Sequence, residues 1–387
     1  MADRADVVII GGGAVGTSIA YHLAERGAGG GVVLLERHTL GSGSTGRSAG
    51  GIRSQFSTEV NIRFSLESVQ FWRRIAGEVD YRETGYLFLA TTEQQRQQFE
   101  RNIALQNALG VPSRLVSPQD MGQLVPGMRV EDLAAGAYSA EDALAGPNEA
   151  VQWFARHARE RGVQIREGVE VLGIDTRGDR VHAVETTNGR IETPVVVNAA
   201  GAWAGLVGKM AGLEVPVKGY RRELFVSEPV GLDVIPEVPL VIDLQVGWYF
   251  RREGVGVLMS GARDAHASFD THVEWAGLPK IAEFATWRMP PLGGVRFGDK
   301  AWAGLYDISP DDHAIIGAVP SVAGFYCANG FSGHGFQHSP ATGRVVAELI
   351  LDGVVKDLDI APLSITRFRT GALLSEPLTA HAGSFAG

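Results

Sequence analysis

The sequence predicts an α/β fold, α+β overall, in which a parallel, helix-wrapped sheet is joined to a smaller domain with a mainly antiparallel sheet. Three observations predict it. A four-residue apolar run, Val7 to Ile10, opens into a glycine-dense turn and then a helical pattern. The stretch "VEVLGIDTRGDRVHAVETTNGRIETPVVVNAAGAW" carries the turn signals of a β-meander and ends in a buried strand. Further on, "ELFVSEP", "PLVID", "GWYFRRE" and "GVLMSGAR" read as strands, with Trp248 and Phe250 alternating onto one apolar face.

The first element says most about chemistry. Val7 to Ile10 has the length of a strand buried on both faces. Gly11, Gly13 and Gly16 then spell G-x-G-x-x-G, with Ala14 and Val15 inside the motif. Val15, Ile19 and Leu23 follow at helical spacing, and Gly27 can end the helix. A second strand, "VVLLE", ends at Glu36, about twenty residues beyond the last motif glycine. Gly11 allows a tight turn, Gly13 lets backbone approach a pyrophosphate, and Gly16 lets helix and strand pack closely. The helix start offers unpaired N–H groups to the phosphates, and Glu36 can accept from ribose hydroxyls. A lone G-x-G-x-x-G is a weak signal. With strand, helix, second strand and terminal acid in place it reads as a dinucleotide site, because a functionless glycine turn leaves Glu36 unexplained.

Bulk properties narrow the class further. A chain of 387 residues can bury a large core and suggests two or three domains. Its fifty glycines imply many tight turns. A formal net charge of -9 argues against a general nucleic-acid binder, though not against an anionic small substrate held in a local arginine pocket. The single cysteine, Cys327, excludes an internal disulfide and a cysteine-based zinc site, and fits a reducing compartment. No signal-peptide pattern precedes the first strand, so a cytoplasmic location is expected. Residues 194–217 form the most apolar long stretch, but Asn198, Lys209 and glycines break it; a strand and a short helix are expected there, not a membrane span. The final "LTAHAGSFAG" reads as a loose tail.

After Glu36 comes "RHTLGSGSTGRSAGGIRSQF", rich in glycine and small hydroxyl residues, with Arg47 and Arg53. A plain NAD domain would enter another βα unit here. This loop is suited to lie against a large flat ligand. The meander turns at Arg177-Gly178-Asp179 and at Asn188-Gly189, the latter a strong hairpin signal. It leads into a buried strand at residues 195–197 and a small-residue turn at 199–201. A meander crossover followed by a strand and a glycine turn is the layout of the larger FAD domains.

With these stretches in view, the chain resembles the D-amino-acid oxidase and sarcosine oxidase superfamily of FAD-dependent amine oxidoreductases. It is most similar to the branch of the sarcosine oxidase β-subunit and the sarcosine and dimethylglycine dehydrogenases. The resemblance covers nearly the whole chain and rests on the N-terminal fingerprint, "STGRSAGGIR", "VVNAAGAWA", "AGLYDISPDDHAIIG" and "GFSGHGFQHSPATG". It implies a Rossmann-like FAD-binding domain of glutathione-reductase type built from residues 1–85, 145–215 and 300–387, and a substrate domain from 86–144 and 216–299. It implies that FAD meets Arg37, Ser44, Thr45, Arg47, Ser48, Ala49 and Gly50, then Val171, Ala200, Gly201 and Trp203, then Gly304. The last flavin contacts would be Gly330, Ser332, Gly333, His334, Gly335, Phe336 and Gln337.

The "GFSGHGFQHSPATG" loop would pass under the flavin ring, where side chains would collide with it. Ser339 can cap the helix that follows, with Pro340 in its first turn, so that the positive helix end faces the flavin N1/C2 edge. His334 and His338 are four apart, but Pro340 and the glycines argue against one helix through both, and no third ligand is near in sequence. No metal is expected; His334 would pack beside the flavin. Cys327 reads as a small buried residue.

The implied reaction oxidises the C–N bond of an amino acid, most of all an N-methyl or secondary one of sarcosine, dimethylglycine or proline type. Hydride passes to flavin N5 and the imine hydrolyses; the protein orients the substrate by its carboxylate, which calls for arginine. Arg53 matches the carboxylate-clamping arginine of sarcosine-oxidase relatives and is the first choice for that role, with a surface arginine as the alternative. Tyr306 matches a tyrosine lining the same pocket, with a core tyrosine as the alternative. Arg222 matches a pocket arginine of D-amino-acid dehydrogenases, but adjoins Arg221, and either can face solvent. Arg263 and Trp248 are further pocket candidates. Two departures stand out. Met259 falls where fast oxidases keep a lysine over N5, which points to a dehydrogenase or slow oxidase using an external acceptor such as oxygen, a quinone or a partner flavoprotein. Gln337 replaces a second carboxylate-binding lysine. The positions of covalent flavin attachment hold Gly304 and the histidine-free run 42–51, so noncovalent FAD is expected. A D-amino-acid dehydrogenase and a non-catalytic FAD protein serving as an assembly factor or complex subunit stay open, as does a homo- or hetero-oligomer.

Overall fold

Val7–Ile10 is buried throughout because it has a core on either face. Val7 and Ile9 point into one apolar cluster, shared with the helices Ala14–Glu25 and Pro147–Glu160. Val8 and Ile10 point into another, shared with the meander. The computed structural model describes residues 3–376; the expected loose tail at 378–387 lies outside the described residues.

Val7–Ile10 belongs to a six-stranded sheet in the order Gln164–Glu167, Val32–Glu36, Val7–Ile10, Val196–Asn198, Phe325–Asn329, Ile315–Ala318. All neighbours run parallel except the last pair. The strand expected at 195–197 forms one residue later, at Val196–Asn198. The meander is Val171–Arg177, Arg180–Thr186 and Gly189–Glu192, each antiparallel to the next. Asp3–Arg4 adds a fourth, parallel strand that the sequence did not announce.

The second large sheet has eight strands: Phe297–Ile308, Lys218–Ser227, Gly256–Ser260, Trp248–Glu253, Leu240–Asp243, Tyr86–Ala90, Ala135–Ser139 and Arg114–Val116. Only Leu240–Asp243 and Tyr86–Ala90 pair in parallel. One face packs under the helix Leu278–Arg288 through Phe225, Trp248, Phe250, Val257 and Met259. The other presents Leu224, Leu240, Ile242, Tyr249 and Leu258. This corrects two expectations. Met259 and Trp248 are core residues of the covered face, because side chains alternate along a strand and Leu258 and Ser260 take the opposite side.

The glycine-rich C-terminal loop also differs from expectation. The helix begins at Gly335, with His334 at its N-cap, and runs to Asp352. Ser339 is not its cap and Pro340 lies inside it. The His338 N–H donates to the His334 carbonyl at 3.1 Å, so helical backbone does connect the two histidines. Pro340 has no N–H for the Phe336 carbonyl; the Ser339 hydroxyl donates to that oxygen instead, at 2.8 Å. No helix among the described residues is long and apolar enough to cross a membrane.

Candidate active site

A cavity of about 560 Å³ runs from the C-terminal end of Val7–Ile10 to the open face of the eight-stranded sheet. Two glycines shape its first end without freedom to be anything else. A Cβ on Gly11, whose φ is +116°, would sit 2.3 Å from the Ala199 carbonyl oxygen; one on Gly16 would sit 1.9 Å from that of Gly11. Gly16 therefore packs helix against strand and does not line the cavity, whereas Gly11, Gly13, Ala14 and Val15 do. The helix Ala14–Glu25 has no side-chain cap from Gly13 itself, and apart from the Ala14 N–H, which Thr45 takes, its first-turn N–H groups are left for the cavity. The Glu36 carboxylate is held by the N–H groups of Gly12 (2.8 Å) and His38 (2.9 Å). Arg37 lies 4.1 Å above the Trp203 ring, so both line the same wall.

In the middle stretch, the loop after Glu36 is tied to the strand Phe297–Ile308. Ser44 donates to the Leu305 carbonyl (2.6 Å), Arg47 to that of Ala303 (2.9 Å), and the Trp302 indole to that of Arg47 (3.0 Å). Thr45 Oγ1 accepts from the Ala14 N–H at 3.1 Å. Ser48, Ala49, Gly50, Val171, Ala200, Gly201 and Gly304 complete the walls. The Ser48 hydroxyl is buried with no hydrogen-bond partner among the described residues, an orphaned group that a bound ligand can satisfy.

At the far end, Arg53, His334, Gln337, Tyr306 and Arg222 come together, with Ser332, Gly333, Gly335 and Phe336 beneath them. The Arg53 guanidinium donates to the Gln55 carbonyl and to His334 Nε2 (3.1 Å), and lies 3.8 Å over the Phe56 ring. Its backbone N–H donates to Gln337 Oε1 at 3.1 Å. Burial lowers the Arg53 pKa, opposed by the negative potential of Glu376, Tyr86 and Asp142. Arg222 donates from Nε to Ser260 Oγ (3.0 Å) and from Nη2 to the Gly247 carbonyl (2.7 Å), and its Nη1 is 3.5 Å from the Tyr306 hydroxyl. Arg221 points the other way, onto Asp264, Asp270 and Glu274. Arg263 lies over the Tyr220 ring and lines no part of the cavity. Met259 and Trp248 do not reach it either. Gly330 also stands back; its N–H donates to Asp307 Oδ2 at 2.9 Å.

Two buried acids, Asp307 in the cavity lining and Asp142 outside it, were not singled out from sequence. Asp307 accepts the N–H groups of Gly330 and Phe331 and so fixes the glycine loop; burial pushes its pKa up to about 6. Asp142 accepts the Ser54 N–H (2.7 Å) and the Gln55 side-chain amide (2.8 Å), and burial pushes it up to about 7. Asp307 follows Tyr306 and is the one charged residue in the second part of its strand, 301–308, a usable signal. Asp142 meets Gln55 across 87 residues of chain, and nothing local marks it.

The family model described as FAD dependent oxidoreductase (DAO) matches residues 6–349, and the chain belongs to that family. It is 31% identical to FAD-dependent oxidoreductase domain-containing protein 1 of Bos taurus, over 97% of this chain and 87% of that protein. It is 33% identical to mitochondrial sarcosine dehydrogenase of Mus musculus over 94% of its own length, but spans only 41% of that enzyme. In structure it is similar to L-proline dehydrogenase from P. horikoshii, with a TM-score of 0.90, 34% identity, and 97% and 100% of the two chains covered. The chain is thus an FAD-dependent oxidoreductase by family. Its residues fit the cofactor. The glycine-lined helix start and Glu36 suit the dinucleotide, the Ser48 hydroxyl and small-residue walls suit the flavin, and the cavity continues past them to the arginines.

Proposed function

We propose that the protein dehydrogenates an N-methyl or secondary amino acid of sarcosine, dimethylglycine or proline type, using noncovalently bound FAD and an external electron acceptor. The observation that carries this is Arg53: a buried guanidinium at the reacting end of the cavity, flanked by His334 and Gln337. Such a group orients a substrate carboxylate by paired, charge-assisted hydrogen bonds and so sets which C–H bond faces the cofactor. When bound, FAD supplies the two-electron acceptor; the product imine hydrolyses in water. Tyr306 and the apolar wall of Leu224, Leu240 and Ile242 shield the reacting bond from water. The names of the proline and sarcosine dehydrogenase relatives support a secondary amine and a dehydrogenase. Met259 no longer bears on that choice, being a core residue of the far sheet face. Gly304 in the wall and the absence of histidine from 42–51 support noncovalent attachment. We further propose that residues 1–85, 145–215 and 300–387 form the FAD unit, with 86–144 and 216–299 over it, and that the protein works in the cytoplasm, where its one buried cysteine, Cys327, stays reduced.

A second reading, a D-amino-acid dehydrogenase, is favoured by Arg222, which faces the cavity while Arg221 does not. Anaerobic mixing of the FAD-loaded protein with a panel of amines separates the two. Bleaching of flavin absorbance by sarcosine, dimethylglycine or L-proline supports the first; bleaching by D-isomers of primary amino acids alone supports the second. Flavin that stays with acid-precipitated protein would contradict noncovalent binding.

A further inference from the structure

The four most buried arginines of the chain are Arg288 (1% exposed), Arg222 (2%), Arg367 (3%) and Arg53 (5%). The two outside the cavity are neutralised in place. Arg288 pairs with Asp132 and Asp243, and Arg367 with Asp311. The two inside it have neutral contacts only. Arg222 touches Ser260, the Gly247 carbonyl, the Tyr306 hydroxyl and the Tyr249 ring; Arg53 touches the Gln55 carbonyl, His334 and the Phe56 ring. Glu376 and Asp142 act on Arg53 at longer range, but both are engaged elsewhere, with Ser57 and with Ser54 and Gln55.

A buried guanidinium without a counter-charge is expensive to maintain. The cofactor does not supply both anions. The start of the Gly335–Asp352 helix, with its unpaired N–H groups, already faces the cavity and can meet negative charge there. The two guanidinium groups are fixed separately, Arg53 by the Gln55 carbonyl and His334, Arg222 by Ser260 and the Gly247 carbonyl, so each can hold an acid group of its own.

We propose that the substrate is an amino acid carrying a second carboxylate, one acid group held by Arg53 and the other by Arg222. This rests on the amine-oxidising reading above and narrows its substrate class. The second acid stands either on the nitrogen substituent, as in an N-carboxyalkyl amino acid, or on the side chain.

The test is a titration of oxidised, FAD-loaded protein with two unreactive probes, glutarate and butyrate, followed by the flavin absorbance change. Glutarate is expected to bind at least about tenfold tighter, the worth of one added charge-assisted hydrogen-bond pair. Arg222→Gln should shrink that ratio toward one. If that variant does not hold FAD, Arg222→Lys, which keeps the charge, should retain part of the ratio. Equal affinity for the two probes in the unmodified protein would overturn the proposal. Anaerobic reduction by iminodiacetate or by N-methylaspartate then tells which placement of the second acid is used. Flavin bleached by sarcosine or proline with glutarate and butyrate bound alike would remove the dicarboxylate and leave the amine reading standing. A glutarate preference without bleaching by any amine would do the reverse.

Discussion

Arg53 Nη2 stands 3.1 Å from His334 Nε2. Arginine can only donate, so Nε2 accepts and the imidazole proton sits on Nδ1. The ring faces edge-on to Phe56 at 4.9 Å, and the guanidinium lies over the same phenyl group. The arginine is thus aimed by three fixed neighbours, Phe56, His334 and the Gln55 carbonyl. Replacing it by lysine keeps a charge but removes the planar fork that a carboxylate matches. Arg53→Lys is expected to slow anaerobic flavin reduction by about a hundredfold, a loss of roughly 2.7 kcal/mol, and Arg53→Met by more. Stopped-flow reduction at saturating amine measures it; a change below threefold would remove Arg53 from the site.

Asp142 supports that arrangement from behind. Its folded pKa, pushed to about 7 by burial, lies above the ordinary value of 3.8. Between those values the folded chain holds a proton that the unfolded chain has lost. Stability from this group is therefore full below about pH 4, falls as pH rises toward 7, and is flat beyond, a loss of up to about 4 kcal/mol. Asp142→Asn abolishes the titration, though it turns an amide N–H₂ toward one of two donors, Ser54 N–H or Gln55, and lowers stability at every pH. Thermal melts from pH 5 to 8 should show the unmodified protein losing ground to the variant as pH rises. Parallel curves would contradict the assignment.

These two residues mark where sequence was and was not sufficient. Gly11, Gly16 and Glu36 were legible because their tasks are local: a turn, a helix packed on its own strand, an acid at the next strand end. Arg53 was singled out through the resemblance that "STGRSAGGIR" carries, since nothing in its own spacing aims it at the cavity. Asp142 was not, because its partners are Ser54 and Gln55, far away in the chain. Met259 failed for a different reason. Side-chain direction alternates along a strand, so an alignment displaced by one residue exchanges the cavity face for the core. Ser339 and Pro340 misled because cap signals inside a glycine-rich stretch do not reveal that the helix has started five residues earlier, at Gly335.

The buried Asp311–Arg367 pair anchors the C-terminal segment to the turn after Phe297–Ile308. Burial pushes the Asp311 carboxyl up, but the Arg367 guanidinium beside it prevails and holds it below the ordinary carboxylate range. The unfolded chain then binds the proton more readily, so this contribution is present above about pH 4 and is lost as pH falls below it. Asp311→Asn leaves Arg367 without a counter-charge and is expected to cost about 3–5 kcal/mol. Denaturant unfolding at pH 7 checks the size, and the same comparison at pH 3 should show a smaller gap.

Gly333 tests whether the loop beneath the reacting end must be bare. Its φ is +94°, and a Cβ there would lie 2.6 Å from the Tyr306 ring. Tyr306 cannot yield easily, because its strand is paired along its length with Lys218–Ser227 and its hydroxyl neighbours Arg222. Gly333→Ala therefore combines an unfavourable backbone with a displaced ring. The strain alone is about 1–3 kcal/mol, and it falls on the wall where the cofactor and substrate meet. Gly30→Ala is the matched control, since nothing lies within 4 Å of a Cβ there and its φ is outside the left-handed region. The Gly333 variant should bind FAD at least about tenfold more weakly in apoprotein reconstitution, while the Gly30 variant should match the unmodified chain. Equal FAD affinity in both would mean that the ring moves aside at no cost and that the loop is not the constraint its geometry describes.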